Sequence, residues 1–99
     1  MRKLTKKDTP FLCKVLEQWA SNLPFPLDRT QLITWAEQYP DEVIEKGVIV
    51  TAGWYKRQTE RRSETALPSE QDAYRYASAC MRNVDRARST AEQLLGGAQ

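Results

Sequence analysis

The chain contains no histidine, which removes both the commonest general base at neutral pH and the commonest zinc or iron ligand. Cysteine is scarce. Cys13 and Cys80 are the only two, far apart, with no CxxC pair and no ligand cluster around either, so each reads as a buried free thiol in a reducing compartment. No apolar run approaches the roughly 20 residues that a bilayer span requires. The basic start, Met1 to Lys7, lacks the apolar stretch of a signal peptide, so the expectation is a soluble cytoplasmic protein with no membrane contact. Asp41, Glu42 and Glu45 are the one close group of carboxylates. They stand where a helix should begin, and capping and the helix dipole account for them without an acid–base site. With no nucleophile–base spacing and no metal-ligand cluster, the residues point away from an enzyme and call for no cofactor and no metal.

The 99 residues fit one domain, and 40% hydrophobic with 28% charged is an ordinary globular composition. A chain this short buries only about two-thirds of its unfolded surface, so a partner could contribute to its stability. The net charge is +2, too small to argue for nucleic-acid binding, but it is unevenly spread. Residues 54 to 62 alone carry +3, and the first seven residues hold four cations and no anion.

Four segments carry helical periodicity. Thr9-Pro10 opens the first, with Asp8 or Thr9 as cap and proline at the first position; Phe11, Leu12, Val15, Leu16 and Trp19 then fall on one face, and the helix should end near Asn22. The alternation Leu23-Pro24-Phe25-Pro26-Leu27 forces an extended strap. Asp28 to Gln31 resembles a capping box ahead of Leu32, Ile33, Trp35, Ala36 and Tyr39, and Pro40 ends that helix. Asp41 can cap a third, facing inward with Val43, Ile44, Val48, Thr51 and Tyr55. Gly47 and the β-branched run Val48 to Thr51 favour a strand, but no second strand exists to pair with, and helix is the reading. Ser69 with Asp72 starts a last, long helix from about residue 70 to 94, stopping at Gly96-Gly97. Its seam, Ala73, Ala77, Cys80, Val84, Ala87, Ala91 and Leu94, keeps four-three spacing. The expected fold is all-α, a small single-domain helical bundle: residues 1–7 a flexible basic tail, 8–95 the domain, 96–99 a flexible tail.

Two surfaces are candidates for binding. The first is the tract Trp54, Tyr55, Lys56, Arg57, Arg61 and Arg62, followed by a polar loop that ends in Leu67 and Pro68. Its aromatics can be core, can stack bases beside cations, or can dock with the arginines into another protein. Pro68 is either a plain helix-start proline or an exposed loop element that a partner recognises, a prolyl isomerase included. The second is the row Arg75, Arg82 and Arg86, which at about 100° per residue falls within about 20° of one direction on the last helix. Such a row contacts phosphates or forms a solvated face.

The length, the basic start, the segment Phe11 to Trp19, the Gly53-Trp54-Tyr55-Lys56-Arg57 tract and the Leu67-Pro68 loop resemble the small anti-RecBCD proteins of lambdoid phages, the second of the two kinds such phages encode. That resemblance implies a non-enzymatic modulator that binds the host RecBCD helicase-nuclease, chiefly through RecC, and changes its response to DNA ends and recombination hot spots. It also implies a host peptidyl-prolyl isomerase as an accessory partner, at Leu67-Pro68, and leaves direct DNA contact open. A second resemblance, carried by Trp35 to Tyr39, Asp41 to Ile44 and Tyr76 to Asn83, is to the helical DnaD-like module of phage replication proteins, and implies a DNA-binding replication accessory. That module has a Trp shortly after the final Arg-Asn, where this chain has Val84-Asp85.

Overall fold

The computed structural model describes residues 3–61 and 68–97. Within them the chain is all-α, with no strand: a 3-10 turn at Lys6–Asp8, then α1 (Thr9–Asn22), α2 (Arg29–Gln38), α3 (Asp41–Arg61) and α4 (Glu70–Gly97). The last residues of the basic segment join a 3-10 turn. Thr5 and Asp8 form a reciprocal capping box around the 3-10 turn, the Thr5 backbone N–H donating to Asp8 Oδ2 at 2.8 Å. At the other end α4 runs through Gly96 and Gly97 and so passes the stop expected at Leu95.

The helix starts follow local chemistry. Pro10 sits in the first turn of α1, where its missing N–H costs nothing. At α2, Asp28 Oδ2 accepts from the Gln31 N–H at 3.2 Å. The other half of that box is replaced by a tertiary bond, because the Asp28 N–H donates to the Tyr74 hydroxyl at 2.9 Å. At α4 the box is complete: the Asp72 N–H donates to Ser69 Oγ at 3.1 Å and the Ser69 N–H to Asp72 Oδ2 at 3.0 Å. Those two bonds to Ser69, with Arg75 nearby, hold the Asp72 carboxyl below its ordinary value.

Helix α3 is the axis of the fold. Val43, Ile44, Val48, Thr51 and Tyr55 are all buried on it, as the sequence spacing requires. The β-branched run stays helical because burying Val43, Ile44 and Val48 on one helical face gains about 1.5–3 kcal/mol per large side chain, whereas helix propensities differ by only tenths. Thr51 adds a hydroxyl bond to the Gly47 carbonyl at 2.7 Å. Helix α1 lies parallel to α3, joined near its middle by Lys14 and Glu45 at 3.2 Å. Helix α4 lies antiparallel, since Trp54 stacks on Tyr76 and Glu42 pairs with Arg88 at 3.3 Å. Gly47 marks a close approach of α3 and α4. A Cβ there would stand 2.5 Å from Met81 Cγ, and Met81 is fully buried.

The strap runs as its sequence implies: Leu23 and Leu27 are buried, Phe25 is half-buried, and Pro24 and Pro26 face outward. It closes over an aromatic cluster centred on the buried Trp19, which stacks on Tyr74 with ring centroids 5.5 Å apart and meets Phe25 and Trp35 at 6.3 and 6.1 Å. Tyr74 latches the strap, its hydroxyl lying 2.7 Å from Glu70 Oε1 and 3.3 Å from the Pro26 carbonyl. Burial and the Glu70 carboxylate push the Tyr74 pKa up to about 12.

Three sequence expectations are corrected. Ile33 is 45% exposed, because α2 turns Leu32, Trp35 and Ala36 to the core and Ile33 falls off that arc. Cys13 is exposed and Cys80 only half-buried, so neither is the fully buried thiol expected. The α4 seam drifts: Ala73, Ala77 and Met81 are buried, Cys80 and Val84 half-buried, and Ala87, Ala91 and Leu94 exposed. A four-three repeat has a period of 3.5 and a straight helix about 3.6, so the stripe rotates by about 20° per heptad. Residues 89–97 also run past the Glu42–Arg88 level where α3 begins, by about 13 Å at 1.5 Å per residue. The molecule is accordingly elongated, 55 × 32 × 17 Å.

Candidate functional site

The aromatic–basic tract occupies the C-terminal half of α3, where α4 begins alongside it. The structure divides its residues between two jobs. Tyr55 is 4% exposed, its ring edge-on to Phe25 at 6.0 Å, so it is a core residue and leaves the proposed contact surface. Trp54 is half-buried and lies flat on Tyr76, with ring centroids 4.4 Å apart and planes 10° from parallel. Each ring covers a face of the other, and Tyr55 meets Trp54 edge-on at 6.4 Å. The pair is therefore a clamp between α3 and α4 with an exposed rim, a different arrangement from an open platform for stacking bases.

The cations stand outside this clamp. Lys56, Arg57 and Arg61 are exposed, and Arg57 extends back along the helix until its guanidinium would lie 3.4 Å from a Cβ placed on Gly53. At about 100° per residue Arg57 and Arg61 fall within about 60° of Trp54 and form a cationic rim beside the stiff aromatic base, whereas Lys56 lies on the α1 side of the helix. Arg62 and Leu67 lie outside the described residues. Pro68 is half-buried, immediately before the Ser69 cap of α4.

Arg75, Arg82 and Arg86 are all exposed along α4. Arg75 begins near the Trp54–Tyr76 clamp, and the row then runs away from it toward the free end of the helix. Arg88 belongs elsewhere, since it bridges Glu42 and Glu92 at 3.3 and 3.4 Å.

A concavity of about 220 Å³ that sequence reasoning did not find lies between α1 and α3, lined by Gln18, Asn22, Ile49, Ala52, Gly53 and Lys56 among others. Its signal in the sequence was faint. It consists of small residues at 52 and 53 beside Ile49, which is 53% exposed. Gln18 Oε1 is buried there with no hydrogen-bond partner.

Among the described residues no group of His, Cys, Asp or Glu is placed to hold a metal ion, and no helix is long and apolar enough to cross a membrane. Burial pushes the Cys80 thiol up, partly offset by a hydrogen bond with Tyr76, so it is a weakened nucleophile. No family model, no curated protein and no solved structure matches this chain.

Proposed function

We propose that this chain is a non-enzymatic binding protein that docks the cationic end of its α3–α4 hairpin onto a macromolecular partner. The observation that carries this reading is the pair of exposed arginines, Arg57 and Arg61, on the Trp54 side of α3 beside a Trp54–Tyr76 pair clamped at 4.4 Å. Arginine and aromatic side chains dominate binding energy at protein interfaces, and a rigid base loses little entropy when it docks.

The resemblance to the anti-RecBCD proteins of lambdoid phages supports host RecBCD as that partner, engaged chiefly through RecC, with its nuclease action and hot-spot response altered as a consequence. Under this reading the protein is phage-encoded and works in the host cytoplasm. Pro68, at the foot of α4, is the point a host peptidyl-prolyl isomerase would engage.

The test is complex formation with purified RecC and RecBCD. Saturation near equimolar protein, with a change in nuclease or hot-spot behaviour, is the expected result. Arg57→Ala with Arg61→Ala should weaken the complex by about 2 kcal/mol or more while leaving helicity intact, because both side chains are exposed. Trp54→Ala is the poorer probe, since it also removes a contact between α3 and α4. Failure to bind RecC or RecBCD overturns the assignment, and recovery of a replicative helicase from a bacterial lysate instead would favour the replication accessory.

A further inference from the structure

We infer that the outer face of α4 is a track for the phosphate backbone of duplex nucleic acid, a contact separate from the protein-docking end of the hairpin. Arg75, Arg82 and Arg86 are exposed on a 28-residue helix and span about 16 Å along its axis at 1.5 Å per residue. Duplex DNA presents one charge per about 1.7 Å of axis, so a row of that length meets several phosphates in any register.

The charges around the row strengthen it. A sector about 80° wide, running from Gln71 through Arg75, Ala79, Arg82 and Arg86 to Ser89, contains no carboxylate. The four acids of α4 lie outside it. Glu70 is turned toward the Tyr74 hydroxyl at 2.7 Å, and Asp72 is committed to the Ser69 cap at 3.0 Å. Glu92 is tied to Arg88 at 3.4 Å, and Asp85 is half-buried about 40° outside the sector. Every cation of α4 is an arginine, the side chain whose planar fork pairs with two phosphate oxygens at once.

Two observations favour a duplex backbone over other polyanions. The first concerns single strands, whose binding sites combine cations with open aromatic faces. The aromatics of α4 are already engaged, Tyr76 on Trp54 at 4.4 Å and Tyr74 on Trp19 at 5.5 Å. The second concerns acidic protein surfaces, which bind through an apolar or aromatic centre. The only apolar side chain in this sector is the small, half-buried Ala79. Phosphate contact needs neither feature and carries no sequence preference.

The experiment is fluorescence anisotropy of the full chain with a labelled 20-base-pair duplex of random sequence over a series of salt concentrations, with no RecBCD present. The combined variant Arg75→Gln, Arg82→Gln, Arg86→Gln should lose about tenfold or more in affinity at low salt. The slope of log K against log salt should flatten by about 2 to 3, near 0.9 per phosphate contact. A charge-matched control, Lys3→Gln, Lys6→Gln, Lys7→Gln, should keep most of the affinity. Circular dichroism should leave all forms equally helical, and the arginine variant should still bind RecC if the wild type does. The proposal is overturned if the wild type fails to bind the duplex or the two variants lose equally. Tighter binding of a single strand, or of polyglutamate, than of the duplex overturns it as well.

Discussion

Gly47→Ala should destabilise this protein, although alanine is the better helix former. The new Cβ would lie 2.5 Å from Met81 Cγ, 3.0 Å from Cε and 3.5 Å from Sδ. Because Cγ is next to the root of the side chain, a rotation of the terminal methyl cannot relieve the clash. Met81 is 0% exposed, so it has no solvent to swing into, and α3 and α4 must separate or Met81 must leave its rotamer. Overpacking of this kind costs about 1–3 kcal/mol, and the proximal position of the clash places it in the upper half of that range. The gain from replacing a mid-helix glycine is about 1 kcal/mol, leaving a net loss of about 1–2 kcal/mol. Met81→Ala alone opens a cavity and should cost about 2–5 kcal/mol. In that background the clash disappears and Gly47→Ala should become stabilising by about 1 kcal/mol, a coupling of about 2–3 kcal/mol between the two sites. Urea unfolding followed at 222 nm on the four proteins of the cycle reads these values, with unchanged m-values as the check on two-state behaviour. A Gly47→Ala protein more stable than wild type, or an equal effect in both backgrounds, would refute the close approach of α3 and α4 at this level.

Two further outcomes follow from the latch and the thiols. Because the folded-state pKa of Tyr74 is raised to about 12 from an unfolded value near 10, its contribution is fully present below about pH 10 and is lost as pH rises through 12. Tyr74→Phe should cost about 1 kcal/mol at neutral pH and flatten that alkaline loss; an unaltered alkaline profile would remove Tyr74 from the latch. Native-state labelling with a thiol reagent should modify the exposed Cys13 quickly and Cys80 slowly, since burial raises the Cys80 thiol. Mass mapping that finds Cys80 modified first would contradict its position beside Tyr76.

The legible part of the sequence was what short-range chemistry decides. Pro10, Asp28, Pro40 and Ser69 mark helix boundaries through their own bonding capacity, and they hold their places whatever packs above them. The inward face of α3 was equally readable, because Val43, Ile44, Val48, Thr51 and Tyr55 lie on an element packed on both sides, where apolar period and burial coincide. Tyr55 carried two readings at once, a place on that inward face by spacing and a place in the contact tract by composition, and its packing against Phe25 decides for the core. Trp54 was ambiguous, since an aromatic near a helix end has the same composition whether it faces a neighbouring helix or solvent, and only the arrival of Tyr76 from a segment more than twenty residues away turns it into a clamp. The α4 seam shows the limit most plainly. Periodicity reports which residues share a direction, but not how far the neighbouring helix extends. Ala91 and Leu94 therefore stay uncovered simply because α3 begins too late to reach them. The candidate surfaces stand in the same relation. Arginine spacing on one helix is a local property that the sequence contains in full. The separation of that row from the cationic rim of α3 depends on how two helices cross, and the tertiary contacts at Gly47 and Met81 decide it.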